Sequence, residues 1–244
     1  MAQPARSVGR VDAPELPIRL ARLQLGLPRG ERVEIEMTVP RSRGRDRFLD
    51  VALLRVRGAG FDRVRAVGSG TAGLLLTARR AHTLPDFIRP RLRILFCGLN
   101  PSRYSAEVGI PFGRPGNRFW PAALAARLVE RDRDPLGAIG CGVGFTDLAK
   151  RATARASEIR SREYAAGVRR LEELVETFQP SIVCFVGLDG WRRAIDRHAG
   201  PGWTANGLGG SPTYLMPSTS GLNARTRLPE LVSHLRRLGR RAQN

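Results

Sequence analysis

Four short apolar segments alternate with stretches of helical periodicity in the second half of the chain, and this alternation constrains the fold more than any other feature. The segments span residues 92–99, 142–148, 181–187 and 213–217. Apolar strands that alternate with helices are typical of a parallel sheet covered on both faces. The sequence therefore predicts an α/β fold: three α/β/α layers around a short, mostly parallel sheet, plus a small N-terminal accessory segment.

Three helices are predicted between and after these segments. In residues 161–178 the apolar side chains recur at steps of three and four, as on an amphipathic helix, and Ser161 is placed to cap the start while Pro180 ends it. A second helix begins near Pro121. The last helix has Pro229 in its first turn and runs to Gly239.

The first 90 residues have a different pattern. Residues 1–30 mix Pro, Gly and Arg without sustained periodicity, and we interpret them as a basic arm. Residues 31–85 include RVEIEMTV, FLDVALLRV and AGLLLTA, whose short apolar or alternating runs favour strands in a small accessory module of uncertain fold. Pro85 and Pro90 make a stiff joint before the main domain, residues 91–238.

The charge of the chain indicates the class of partner. It has 41 basic and 22 acidic residues, a net charge of +19, and the excess extends through both halves. Solubility needs far less charge. The polyanion that best suits such a chain is nucleic acid. The alternative is that the basic surface is merely solvated and binds no polyanion.

Several classes of site are disfavoured by composition. Three separated cysteines and three histidines offer neither a disulfide framework nor the ligand spacing of a zinc or iron–sulfur site. The first loop lacks G-x-G-x-x-G, and Pro101 removes a backbone donor there, which disfavours a nucleotide cofactor. We expect no metal and no cofactor. No run approaches membrane-spanning length, so we expect a cytoplasmic protein, nucleoid-associated if bacterial, with no membrane partner. We also expect a monomer.

The loops at the strand ends hold the candidate site residues, because ligands of open α/β sheets bind at the carboxyl ends of strands. The first, residues 97–120, begins CGLNPS and presents Asn100 directly after a strand. The last, MPSTSGLNAR, combines small hydroxyl residues with the apolar Leu222. Hydroxyls and backbone amides suit phosphates, and an apolar tip suits insertion into a base stack. The two loops contain one carboxylate, Glu107, and no histidine, so a strong base is poorly supplied.

GLNPS, IPFGRPGNRFW and MPSTSGLNAR together closely resemble the motifs of the mismatch-specific uracil/thymine DNA glycosylases, the branch of the uracil-DNA glycosylase superfamily whose first motif ends in Asn. GVGFTDLAKRAT and residues 161–187 are similar to the family's middle portion in order and spacing. The similarity covers residues 91–238. It implies a monofunctional DNA glycosylase of base excision repair that flips uracil out of G mismatches in double-stranded DNA and removes it hydrolytically. Thymine and ethenocytosine stay open as substrates, and the alternative is a non-catalytic nucleic-acid-binding protein that keeps the fold.

The resemblance also implies roles for individual residues. Asn100 would hold a water below the sugar carbon, Phe112 would stack on the extruded base, and Leu222 would fill the vacated space. The base-binding set is Leu99, Phe112, Asn117 and Asp147. The DNA-binding set is Ser218, Thr219, Ser220, Gly221, Leu222 and Arg225.

Two positions depart from the family pattern, and three candidate residues have plain structural interpretations. Ser102 stands where Gly is commoner, and Asp147 stands where an amide or a lysine is expected near the base edge. From the sequence alone, Asn100 could instead be a turn residue before proline, Phe112 a core aromatic, and Asp147 a helix N-cap.

Overall fold

The computed structural model describes residues 5–40, 45–68 and 73–242, and the side chains of residues 45–47 lie outside that description. The N-terminal module contains six elements: β1 (Arg6–Arg10), α1 (Leu16–Gly26), β2 (Arg32–Thr38), α2 (Arg45–Gly58), β3 (Phe61–Gly68) and β4 (Gly73–Arg80). Its sheet has the order β1-β2-β4-β3, in which β1 is parallel to β2 and the other pairs are antiparallel. Along β2, Val33, Ile35 and Met37 are buried, the two-residue period of a strand with one covered face.

Two of the sequence predictions for this module are wrong. Residues 6–26 are not an arm, because β1 and α1 pack into the module and bury Leu16 and Leu20 completely. The segment FLDVALLRV is not a strand but belongs to α2, where Ala52 and Val56, four residues apart, are buried. A short apolar run fits a buried helix as well as a strand, so packing against the sheet decides between them.

The second half of the chain forms the larger α/β unit. Its elements are β5 (Ile94–Gly98), α3 (Arg103–Val108), α4 (Phe119–Ala125), α5 (Pro135–Gly140), β6 (Val143–Asp147), α6 (Ser161–Phe178), β7 (Val183–Val186), α7 (Asp189–Ala194), β8 (Gly202–Trp203), β9 (Thr213–Met216) and α8 (Leu228–Arg241). The sheet order is β6-β5-β7-β9-β8. All neighbours are parallel except the short β8, which runs antiparallel to β9. The four predicted strands and the mostly parallel sheet are confirmed.

Aromatic contacts show helices on both faces of this sheet. On one face, Phe96 of β5 packs against Phe119 of α4, with ring centroids 4.9 Å apart, and the hydroxyl of Tyr214 in β9 hydrogen-bonds His234 of α8 at 2.6 Å. On the other, Phe185 of β7 packs 5.1 Å from Trp191 of α7. Successive strand side chains point to opposite faces, so the α/β/α layering is confirmed.

The predicted helices are present, with one change at a cap. Ser161 is the first residue of α6 and does not cap it. Instead the Glu163 carboxylate accepts a hydrogen bond of 2.9 Å from the backbone N–H of Arg160, which satisfies a free donor at the helix start. Pro229 lies in the first turn of α8, as predicted, and α4 begins two residues before Pro121.

A buried ion network joins the two parts of the chain. Asp86, 5% exposed, lies in the connection between them and accepts hydrogen bonds from Lys150 at 2.9 Å and Arg170 at 2.8 Å. Its backbone N–H donates to the carbonyl of Gly58 at the end of α2. The module is therefore attached next to the β6–α6 connection. No helix in the described part of the chain is both long and apolar enough to cross a membrane.

Candidate active site

The carboxyl ends of four parallel strands bring most of the candidate residues to one edge of the sheet. Asp147 is the last residue of β6, Asn100 follows β5, Gly187 follows β7, and the segment 217–226 follows β9. A Cβ atom placed on Gly187 would lie 3.5 Å from Cβ of Ser218, so the last two ends touch. The position of these loops is thus a consequence of strand direction.

Asn100 is held in one orientation by three acceptors. The two N–H groups of its Nδ2 are shared among the carbonyls of Pro101 and Arg151, each at 3.0 Å, and Oγ1 of Thr153 at 2.8 Å. Carbonyl oxygens accept only, so the amino group must face them. No donor among the described residues hydrogen-bonds Oδ1. The Oδ1 atom of the half-buried Asn100 is therefore a fixed acceptor without a partner among the described residues. Such an acceptor can hold a water molecule by accepting a hydrogen bond from it.

Ser102 has a structural role beside it. Its Oγ accepts from the backbone N–H of Ser105 at 3.0 Å and caps α3, while its own backbone forms a bridge with Thr153. The serine thus starts the helix that follows the Asn100 loop. A glycine there would leave the cap unfilled, so the departure from the family pattern has a local cause.

The side chains of Phe112 and Asp147 both lie against Gly98. A Cβ on this glycine would lie 2.5 Å from Oδ1 of Asp147 and 3.5 Å from Cε1 of Phe112, so only glycine fits. Phe112 has a left-handed φ of 54°, which is uncommon outside glycine and is found often at functional sites. Its ring stacks on Phe119 with centroids 4.4 Å apart, yet the side chain stays half-buried instead of entering the core completely.

Asp147 is buried, 8% exposed, and no hydrogen-bond donor among the described residues contacts its carboxylate. Burial raises the pKa of Asp147 from 3.8 to about 6, against the opposing attraction of Lys150. The N-cap interpretation is wrong, since no helix begins directly after Asp147: the next helical turn starts only at Ala156. A neutral carboxyl offers one donor and one acceptor side by side.

Asn117 and Leu99 make local contacts, and their assignment to the base stays a prediction. Asn117 Oδ1 accepts from the backbone N–H of Phe119 at 3.0 Å at the start of α4, which occupies one of its two lone pairs and fixes the orientation of the amide. The half-buried Leu99 packs toward Gly190 of α7, where a Cβ would lie 3.3 Å from its Cδ1. Its carbonyl accepts from Ala149 at 2.9 Å.

The segment 217–226, named here the Leu222 loop, is organised from within and by Arg118. Leu222 is 82% exposed at its tip. The Arg118 guanidinium donates to the carbonyls of Ser220, Asn223 and Thr226. Gly221 must be glycine, because a Cβ there would lie 2.8 Å from the carbonyl of Gly116.

The polar residues of the Leu222 loop divide into buried and accessible ones. Ser218 and Ser220 are partly exposed, and their hydroxyls accept from backbone N–H groups two residues on, each at 3.3 Å. Arg225 is exposed. Thr219 is only 1% exposed, and its carbonyl accepts from the backbone N–H of Arg118. The buried Thr219 hydroxyl therefore cannot reach a phosphate, and the prediction that Thr219 binds DNA is left to its backbone amide.

Sequence reasoning missed the residues that hold others in place. Arg151 and Thr153 fix the Asn100 amide, and Arg118, which could be taken for a phosphate ligand, clamps the Leu222 loop. The available signal was position: KRAT begins three residues after the end of β6, at the same sheet edge. In the described ranges no group of three or more His, Cys, Asp or Glu side chains is arranged to hold a metal ion.

Comparison with known families agrees with this geometry. The family model described as the uracil DNA glycosylase superfamily matches residues 85–238, well over half of the chain. The chain belongs to the uracil DNA glycosylase superfamily. The matched region contains Asn100, Phe112, Asp147 and the Leu222 loop, and superfamily members are DNA glycosylases, which hydrolyse N-glycosyl bonds.

A similar chain among solved structures is the solution NMR structure of a candidate uracil DNA glycosylase from Methanosarcina acetivorans. It has a TM-score of 0.45 and 22% sequence identity, over 65% of this chain and 98% of that one.

Proposed function

We propose that this protein is a monofunctional glycosylase of the mismatch-specific, Asn-type branch, which removes uracil opposite guanine from double-stranded DNA in base excision repair. The observation that carries the proposal is the Asn100 amide, whose Nδ2 is tied to two carbonyls while Oδ1 is unused. An enzyme that acts on a base must first extrude it. The exposed Leu222 suits the vacated space, and the half-buried Phe112 beside Gly98 suits stacking on the extruded base.

The chemistry follows from the side chains present. Asn100 Oδ1 accepts a hydrogen bond from a water and orients the water oxygen toward C1′ of the sugar. The C1′–N1 bond breaks and its electron pair leaves with the base, while the water oxygen bonds to C1′ and releases a proton. An amide is too weak a base to remove that proton early, so the transition state is oxocarbenium-like and the base must leave readily. The products are the free base and an abasic site.

Asp147 supports the departure of the base in its neutral form. Burial raises its pKa to about 6, so the acid form is substantially populated in mildly acidic solution. Its O–H would donate to a base carbonyl as negative charge develops there, and its C=O would accept from a ring N–H. The O–H also suits the carbonyl oxygen of ethenocytosine, which has no ring N–H for the carboxyl C=O to accept, and ethenocytosine is tested alongside thymine.

The test is direct excision. The purified protein is incubated with duplexes that carry G·U, G·T or an ethenocytosine, and abasic sites are then cleaved with alkali. Cleavage of the G·U strand, with none in a G·C duplex, supports the proposal. Binding of all duplexes without cleavage would instead identify a non-catalytic nucleic-acid-binding protein that keeps the glycosylase fold.

A further inference from the structure

A groove of about 1000 Å³ lies between the N-terminal module and the glycosylase domain. The module contributes the turn before β2, the end of α2 and residues of β3 and β4. The domain contributes the start of α3, the β6–α6 connection and part of α6. Eight arginine and lysine residues line this interdomain groove, against two carboxylates, so its potential is strongly positive.

The positive charges of the groove are only partly neutralised by the protein. Arg79 pairs with Asp62 at 2.6 Å, and Arg151 pairs with Glu163 at 2.8 Å. Lys150 and Arg170 share the buried Asp86.

Three exposed arginines of the groove have no carboxylate within salt-bridge distance among the described residues: Arg29, Arg57 and Arg103. Two of them belong to the module, so folding of the module creates a cationic wall that the domain alone would lack.

The interdomain groove lies beside the candidate active site. Arg151 lines it, and the carbonyl of the same residue accepts the hydrogen bond from Asn100 Nδ2. Arg103 follows Ser102, the residue that caps α3 beside the Asn100 loop. A ligand in the groove would therefore lie next to an extruded nucleotide.

The groove and the Leu222 loop lie on opposite sides of Asn100. The β6–α6 connection that lines the groove leaves the edge strand β6, whereas the Leu222 loop leaves β9, three strands away in the order β6-β5-β7-β9. Neighbouring strands are about 4.8 Å apart, so these two ends are separated by about 14 Å. That separation spans several phosphates of one DNA strand, whose repeat is about 3.4 Å along the axis.

The shape and charge of the groove favour an extended polyanion over a single small anion. Its free arginines come from three separate segments, the turn before β2, α2 and α3, and the groove is partly open to solvent. Guanidinium groups recognise phosphate oxygens with parallel N–H donors.

We propose that the interdomain groove binds the sugar–phosphate backbone of the lesion strand beside the extruded nucleotide, so that the N-terminal module is an extension of the DNA-binding surface. This inference rests on the proposed function for the identity of the strand. The phosphate contacts come from Arg29, Arg57 and Arg103, and the Leu222 loop engages the duplex on the other side of the lesion.

The test uses paired charge-neutral variants of the full chain. Arg29→Gln with Arg57→Gln removes two groove charges. Arg22→Gln with Arg65→Gln removes two exposed charges of the same module that do not line the groove. Binding to a lesion-free duplex is measured between about 50 and 200 mM salt, a range over which phosphate contacts change affinity strongly. Each lost phosphate contact reduces the slope of log K against log salt by about 0.9.

We expect the groove variant to bind more weakly with a slope shallower by about 1.8, while the control keeps the wild-type slope. Equal slopes in the groove variant, the control variant and the wild type would overturn the proposal. Because this assay needs no excision, a protein that fails to cleave G·U but shows the slope change refutes the proposed activity and leaves the groove assignment standing. Excision of uracil together with an unchanged slope would refute the groove assignment and support the proposed activity.

A second measurement covers the case in which the variant does not fold. Exposed arginines of the wild-type protein are modified with an arginine-specific dicarbonyl, with and without duplex, and located by mass spectrometry. The groove predicts that DNA protects Arg29 and Arg57 at least severalfold more than Arg22 and Arg65. Equal protection of the two pairs would again overturn the proposal that the interdomain groove binds DNA.

Discussion

Replacement of Asp147 by asparagine should stabilise the protein, and more so as the pH rises. Burial raises the pKa of Asp147 to about 6 in the folded state, against 3.8 for an ordinary aspartate. The folded state therefore holds the proton more tightly than the unfolded state, and ionisation at higher pH destabilises the fold. At about 1.4 kcal/mol per pKa unit, the raised pKa of Asp147 lowers the free energy of unfolding of the wild type by about 1.5 kcal/mol at pH 5 and about 3 kcal/mol at pH 8.

Urea unfolding of wild type and Asp147→Asn at pH 5 and pH 8 measures this directly. The stability difference between variant and wild type should grow by about 1.5 kcal/mol between the two pH values. The matched control is Asp86→Asn: burial alone would raise the pKa of Asp86, but Arg170 and Lys150 outweigh it and lower the pKa. That variant leaves the partly buried Lys150 and Arg170 without their carboxylate and should lose about 3 kcal/mol at either pH. A pH-independent difference for Asp147→Asn would mean that burial does not perturb this carboxyl.

Three further predictions concern the site. Leu222→Ala should reduce excision from duplex DNA roughly tenfold and from single strands much less, because the 82%-exposed side chain acts in base extrusion; equal losses would contradict this. Arg118→Gln should destabilise the fold by about 1.5–3 kcal/mol and lower duplex excision, since the guanidinium binds three carbonyls of the Leu222 loop, and thermal unfolding together with excision would show it. Gly98→Ala should cost about 1–3 kcal/mol in stability and most of the activity, because its Cβ would lie 2.5 Å from Asp147 Oδ1; an active, stable variant would argue against the convergence of Phe112 and Asp147.

The domain that carries the site is predictable because its pattern is unambiguous. Residues 161–178 form α6 as their periodicity indicates, and the four apolar segments become β5, β6, β7 and β9. Parallel strands then dictate that Asn100 and Asp147 end at the same edge. That much of the site follows from sequence order and strand direction alone.

The remaining features depend on contacts that are distant in sequence. The helical nature of α2 is decided by packing on the module's sheet, which a short apolar run does not reveal. The clamp by Arg118 arises from hydrogen bonds between residues 102, 105 and 108 positions apart. The hydrogen bond from the backbone N–H of Phe119 to Asn117 Oδ1 depends on where α4 begins, and helix boundaries are poorly marked in sequence.

Single-turnover excision by Asn100→Ala from a G·U duplex decides whether this amide has the catalytic role assigned to it, with Asn206→Ala, an exposed asparagine after β8, as the matched control. If Asn100 Oδ1 positions the attacking water, the rate falls by about 100-fold or more while duplex affinity is unchanged. The control keeps the wild-type rate. An Asn100→Ala protein that excises uracil at the wild-type rate would contradict the water-positioning role of Asn100.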